Sequence, residues 1–308
     1  MLTFYHRMGR RLLRQVVLGG ALLLGLHLRA AAQDDLLQQL EQQTTTEAKP
    51  DIVTATFKGT RIVNGQSVEL PAAGSMQFLI GHRFGQLNSG AYNFFGLDQA
   101  TIRLGLEYGL NDRLAVGIGR SSMDKTFDGF VKYKALRQTT GARAMPVTLT
   151  LLATSTITTL KFPVGADRST SSRLAYSYQA LLARKFSPSL SVQLMPTLVH
   201  RNLVARSTDD NDVYAVGGAL RQKLTKRLAL TAEYYYVLSN ETAEQARNPL
   251  AIGFDIETGG HVFQLHFTNA QGMVDPLFIP RTTGNFFKGD IFFGFNISRS
   301  FGLGHKKD

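Results

Sequence analysis

The chain has 308 residues, with no cysteine, no tryptophan, and 34 basic against 23 acidic residues. The lack of cysteine excludes disulfides and thiolate chemistry. Beyond the N-terminal segment no stretch of 18 apolar residues occurs, which excludes helical membrane spans. Without basic clusters on helices, the positive excess argues for no nucleic-acid partner.

Arg7, Arg10, Arg11 and Arg14 precede an apolar run over 16–28, and Ala30, Ala31 and Ala32 supply the small residues a signal peptidase reads. This predicts a signal peptide over 1–32, cleaved before Gln33, and hence export across the inner membrane of a Gram-negative bacterium. Its removal takes five arginines and no acid, leaving 29 of the 34 basic residues against 23 acidic. Residues 33–74 read as a short N-terminal periplasmic extension or one that enters a barrel lumen. Leu36, Leu37 and Leu40 suit one amphipathic helical turn, and Thr44, Thr45 and Thr46 a linker. Residues 52–70 read as a hairpin, because Asn64-Gly65 suits a type I′ turn with φ > 0 at both positions.

From there period-two alternation runs almost to the C-terminus. Ile102, Leu104, Leu106 and Tyr108 oppose Thr101, Arg103, Gly105 and Glu107; Phe293, Phe295 and Ile297 oppose Gly294, Asn296 and Ser298. A strand turns successive side chains to opposite faces, so each segment has one apolar and one small or polar face. The segments run about 9 to 13 residues, the length of tilted membrane-spanning strands. Short turns near 111–113, 139–144, 187–189, 225–227 and 258–260 alternate with longer polar connections near 86–98, 121–125, 163–171, 205–211, 240–249 and 269–288. That is the rhythm of short periplasmic turns and long extracellular loops.

The expected fold is all-β: an antiparallel transmembrane β-barrel of about twelve strands over 75–301, with a tail over 302–308. Strands are expected near 75–85, 99–110, 114–122, 126–138, 145–158, 172–186, 190–203, 212–224, 228–239, 250–257, 261–268 and 289–301. The 52–70 hairpin would make fourteen if it joined the wall. Pro196 falls inside a strand and calls for a bulge. His82, Arg184, His200 and Arg299 fall on lipid-facing positions.

Several stretches carry a resemblance. They are residues 56–69 (TFKGTRIVNGQSVE), 82–85 (HRFG), 91–98 (AYNFFGLD), 112–121 (DRLAVGIGRS) and 128–133 (DGFVKY). Together they resemble an outer-membrane β-barrel family of Bacteroidota known as a domain of unknown function. The resemblance implies a barrel and an outer-membrane location, and no substrate or catalytic residue.

Candidate chemistry lies mainly on the inward face, where Arg83, Arg103, Lys132, Lys134, Lys185, Arg201, Arg221 and Lys223 face Glu107, Asp128 and Glu233. Such a basic-leaning lumen favours anionic solutes in a narrow channel, unless the charges pair across the interior and plug it. Tyr92, Phe94 and Phe95 in one loop and Phe286 and Phe287 in another suit a ligand platform or, more simply, an interfacial aromatic girdle. Asp209, Asp210, Asn211 and Asp212 have the oxygen chemistry of a calcium loop but no EF-hand spacing, and read as a solvated loop. No G-x-S-x-G or H-E-x-x-H motif is present. His82, His200 and His266 have no serine two residues away, so no catalysis and no cofactor are expected. The expected partners are outer-membrane lipid and lipopolysaccharide, the barrel-assembly machinery and a periplasmic or envelope protein. The alternative to transport is a structural or partner-docking barrel.

Overall fold

A computed structural model describes residues 50–141, 144–161, 169–238 and 246–302. The expected signal peptide and its cleavage point, the turn at Leu36 to Leu40, the threonine linker, parts of the loops 163–171 and 240–249, and the tail from 303 lie outside the described residues.

Twelve antiparallel strands form a closed barrel. They are β1 (Ser75–Gln86), β2 (Ala100–Gly109), β3 (Leu114–Ser121), β4 (Thr126–Leu136), β5 (Thr148–Thr158) and β6 (Leu174–Lys185). The second half comprises β7 (Leu190–Arg201), β8 (Asp212–Lys223), β9 (Leu228–Val237), β10 (Leu250–Thr258), β11 (His261–Thr268) and β12 (Phe292–Gly302). Each pairs with its neighbours in sequence, and β12 closes on β1.

The alternation has a simple cause in this closure. Thr101, Arg103 and Glu107 of β2 are buried, whereas Ile102, Leu104 and Leu106 are exposed. The same inversion brings Val131, Leu151, Leu194, Tyr234 and Phe267 to the outside. An apolar outer band around a polar inner face is stable only where the surrounding solvent is itself apolar.

Two local expectations are corrected. Pro196 makes no bulge: the β7–β8 register passes through Val216↔Pro196 unshifted, and the β6–β7 register is the same on either side of it. A proline removes one ladder donor, and strands on both sides hold the rest of β7 in place. Register shifts fall instead between Lys134 and Leu136 and between Phe292 and Gly294. The turn at Asn64-Gly65 is not type I′, since neither residue has positive φ. It closes through the Ile62 N–H donating to the Gly65 carbonyl at 2.9 Å and an Arg61↔Gln66 bridge. This hairpin adds no strand to the wall, and residues 56–68, all but Lys58, lie buried inside the barrel.

The connection 269–288 also departs from a solvated external loop. Ala270, Met273, Val274, Leu277, Phe278 and Ile279 are buried, and α1 (Asp275–Phe278) makes one turn with Pro276 at its start. The flanks of this connection are mostly polar, and its middle, apolar but for the buried Asp275, folds inward. The interior therefore holds an apolar core: Phe57, Ile62 and Val68 of the hairpin, Leu181, Met195 and Tyr235 of the wall, and Phe278 and Ile279 of the loop.

Candidate functional site

The lumen is organised around the hairpin tip. A hairpin with few internal bonds leaves backbone groups that must be paired when buried, and the wall supplies the partners. Glu233 on β9 accepts the Asn64 N–H at Oε1 (2.8 Å) and the Val63 and Gly65 N–H groups at Oε2 (both 3.1 Å). Three consecutive amides thus point outward at one carboxylate, which is why the turn cannot adopt the expected hairpin geometry. Gly65 is needed for space: a Cβ there would lie 2.4 Å from the Tyr235 hydroxyl.

The hairpin carbonyls are met in the same way. Lys132 Nζ donates to the carbonyls of Thr60, Ser67 and Glu69 at 3.1 to 3.2 Å. Gln264 donates to the Ile62 carbonyl at 2.8 Å, Asn296 to that of Val63 at 2.9 Å, and Gln193 to that of Gln66 at 2.8 Å. Gln193 also accepts the Val68 N–H at 2.9 Å. Arg83 donates to the Asn64 side-chain oxygen at 2.7 Å.

Most of the remaining inward charges are also engaged. Arg103 binds Asp128 through both carboxylate oxygens. Glu107 faces Arg61 of the hairpin at 3.8 Å. Arg221 pairs with Asp255 at 3.3 Å and with Glu257 at 2.7 Å. Lys134 meets Glu69 at 3.7 Å, and Lys185 donates to the Thr54 carbonyl at 2.9 Å. Lys223 is half-buried at the short-turn end, and Arg201 lies at the long-loop end of β7. Sequence reasoning missed Arg61, Gln193, Gln264 and Asn296. The last three share the inward face with the charges, so the alternation that marked the charges also marked them.

The loop aromatics form a separate surface. Tyr92, Phe94, Phe95 and Phe287 are exposed, and Phe286 packs edge-on against Phe287 with ring centres 5.9 Å apart. Asn88 donates to Asp290 at 2.7 Å and the Leu87 N–H to the Ile291 carbonyl at 2.8 Å, joining the two loops. The Asn285 N–H and the Asn88 amide hold the Asp290 carboxyl below the usual carboxylate range. On the outer wall nearby, His82 stacks on Phe295 at 4.9 Å and Phe84 on Phe293 at 5.7 Å. Arg184 and Arg299 lie over Phe186 and Phe301 at the short-turn end.

The acidic run near 209 is spent on protein partners. Asp209 pairs with Arg206, Asp212 with His200, and Asn211 with the Arg201 carbonyl. Among the described residues no cluster of metal-ligating side chains occurs. His266 is fully buried beside Gly253 and Gly294, and its ring nitrogens meet no hydrogen-bond partner among the described residues.

Space in the lumen lies at its two ends. A pocket between Arg61, Asn64, Arg83 and Met273 measures about 20 Å³, roughly room for one water. At the long-loop end a cavity of about 510 Å³ opens. At the short-turn end are cavities of about 220 and 440 Å³.

Residues 57–301 match the model of a family described as a membrane bound beta barrel domain (DUF5777). Among solved structures the chain is similar to the NanC porin, at 10% identity over 73% of this chain and 98% of that one, with a TM-score of 0.44. The KdgM porin gives 10% identity over 73% and 99%, with a TM-score of 0.43. Outer membrane phospholipase A from Escherichia coli gives 11% identity over 73% and 89%, with a TM-score of 0.40. No curated protein matches the chain.

Proposed function

The chain belongs to the membrane bound beta barrel domain family (DUF5777), and from that premise we propose that it is an outer-membrane barrel held shut by its own hairpin. Small solutes pass only when residues 56–69 withdraw from the lumen. The observation that carries this reading is the clasp of Val63, Asn64 and Gly65 on Glu233. A basic lumen lining would favour anions in an open pore, but here Lys132 and Lys185 are spent on carbonyls of residues 54–69, and Arg103, Lys134 and Arg221 on acids, so most of the lining speaks for closure.

On this reading lipid and lipopolysaccharide cover the apolar outer face, and the barrel-assembly machinery inserts the chain. A periplasmic or envelope partner acts on residues upstream of 56. No catalytic step and no cofactor is part of it.

Planar-bilayer recording tests it on two forms: the full chain, and one with residues 56–69 replaced by a Gly-Ser linker of equal length. The full chain is expected to be silent and the replaced form to give conductance steps, both keeping heat-modifiable migration as a sign of an intact wall. A full chain that conducts steadily refutes closure by the hairpin. A second reading, a structural or docking barrel without transport, is favoured by one observation: the inward loop over 270–282 occupies the lumen as well. If the replaced form stays silent and a form lacking both segments is silent too, this second reading holds.

A further inference from the structure

The cavity at the long-loop end is not needed to close the barrel, and its origin is local. Asp128↔Thr156, Thr156↔Ala175 and Ala175↔Arg201 are successive register partners across β4, β5, β6 and β7. This row runs from Asp128 through the small Thr156 and Ala175 to the long Arg201. It leaves a hollow of about 510 Å³ bounded on the other side by Pro276 and Leu277 of the inward loop, a size typical of small-molecule pockets.

The charge in that hollow is uneven. Asp128, which does not line the hollow, is engaged by Arg103. The two carboxylates on the cavity wall are also engaged, Asp124 by Arg281 at 2.6 Å and Asp209 by Arg206 at 3.2 Å. Arg201 is 8% exposed and donates through Nη2 to the backbone carbonyl of Asp210, while its buried Nε has no partner. Among the described residues no carboxylate forms an ion pair with it. In the same cavity lining the Thr126 hydroxyl is likewise buried and unpartnered. A buried donor without an acceptor is costly, and a ligand oxygen relieves that cost. Leu160, Leu174, Leu203, Val204 and Leu277 give the wall an apolar part, beside the polar Thr158, Ser172, Arg173 and Thr283.

We propose that this cavity binds a small organic anion with an apolar body. Its carboxylate accepts from Arg201, its hydrocarbon packs on the leucines, and Thr126 offers an uncharged second partner. Because Thr126, Thr156 and Arg201 face inward, the ligand arrives from solution and not from the bilayer. The site does not depend on hairpin gating, since equilibrium binding requires no conductance.

The test titrates 2-naphthoate and its neutral analogue 2-naphthamide into the full chain in nanodiscs, with empty nanodiscs subtracted. The chain has no tryptophan, so naphthyl fluorescence anisotropy excited beyond the tyrosine absorption band carries no emission from the chain. Naphthoate is expected to saturate and to bind at least about tenfold more tightly than the amide. Arg201→Gln should remove that preference and leave amide binding unchanged. Ala175→Leu fills the hollow without touching the charge and should weaken both probes. Excess inorganic phosphate should not displace naphthoate, because it lacks the apolar body. Equal affinity for acid and amide, no effect of Arg201→Gln, no saturable binding, or displacement by phosphate alone each overturns the proposal. If Arg201→Gln loses heat-modifiable migration, the acid–amide comparison and Ala175→Leu still decide it.

Discussion

Glu233→Gln removes one of the two oxygens on which three hairpin amides converge. In the native site Asn64 donates to one oxygen at 2.8 Å, and Val63 and Gly65 donate to the other at 3.1 Å. The side chain is 2% exposed, so solvent does not replace the lost acceptor. A glutamine amide has one oxygen and one NH2, and in either orientation at least one buried N–H faces another donor. Hydrogen bonds to a charged group contribute about 1.5–3 kcal/mol each, and an unpaired buried donor costs about 1–3 kcal/mol. Bonds that share one carboxylate are not additive, so the clasp weakens by about 3–5 kcal/mol. At 1.4 kcal/mol per decade this raises the fraction of opened hairpins by about 100- to 4,000-fold. Hydrogen exchange in nanodiscs reads the change at the amides of Val63, Asn64 and Gly65, with the β7–β8 ladder as the internal reference. If protection at 63–65 keeps its native ratio to the ladder, the clasp does not hold the hairpin and the gating argument fails.

Three further outcomes follow from separate parts of the molecule. Asp128→Asn leaves the buried Arg103 guanidinium uncompensated and should lower unfolding stability by about 3–5 kcal/mol in urea, whereas a paired Arg103→Met, Asp128→Leu replacement should recover most of it. Leu104→Arg puts a charge on the outer face of β2 and should cost about 2–4 kcal/mol in lipid if it sits near the midplane. Refolding yields into vesicles that match the native chain would place that face in water instead. The Asp290 carboxyl is held below its ordinary range, so its tie to Asn285 and Asn88 is fully present above the ordinary carboxylate pKa of about 4. It is lost only as pH falls through the lower folded value. Exchange at the Asn285 amide should therefore rise only in acid, and Asp290→Asn should remove that dependence.

The barrel is legible because its two solvents differ. Leu104 and Arg103 are adjacent in sequence and face lipid and lumen respectively, so alternation alone separates outside from inside. The turn lengths then give the closure of β12 on β1. The failures have one cause, long-range pairing. Asn64-Gly65 has the composition of a type I′ turn, but its amides bind a carboxylate about 170 positions away, and that contact decides the backbone. Pro196 reads as a break because sequence does not show that two neighbouring strands hold it in register. The connection over 269–288 reads as solvated because its ends are polar, although Met273, Leu277 and Phe278 carry its middle inward. The inward charges could be read from alternation, but their use could not: Lys132 on a lumen face looks like a pore cation until the carbonyls of Thr60, Ser67 and Glu69 are found against it.

That use bears on whether the hairpin can leave. Lys132, Gln193, Glu233, Gln264 and Asn296 contact backbone groups of the hairpin through flexible side chains, and water can satisfy both sides after withdrawal. Such exchanges have a small net free energy, about 0.5–1.5 kcal/mol per neutral bond, and more where a charge is involved. They fix where the hairpin sits. The apolar side chains set the larger share of the energy of removing it. Phe57, Ile62 and Val68 are each at most 2% exposed, and returning three such side chains to water costs about 5–9 kcal/mol at 1.5–3 kcal/mol apiece. At 1.4 kcal/mol per decade, that term alone keeps the spontaneously open fraction near or below about one in several thousand. A full chain in a bilayer is then silent at rest for reasons that leave the wall's polar face intact, and opening needs work done on the hairpin from its N-terminal side. Ile62→Ala should lower that work by about 2–5 kcal/mol without removing any hydrogen bond between hairpin and wall. Brief conductance bursts from this variant, absent from the native chain, are the expected sign. Their absence while exchange at 63–65 rises would mean that a freed hairpin still leaves the inward loop closing the lumen.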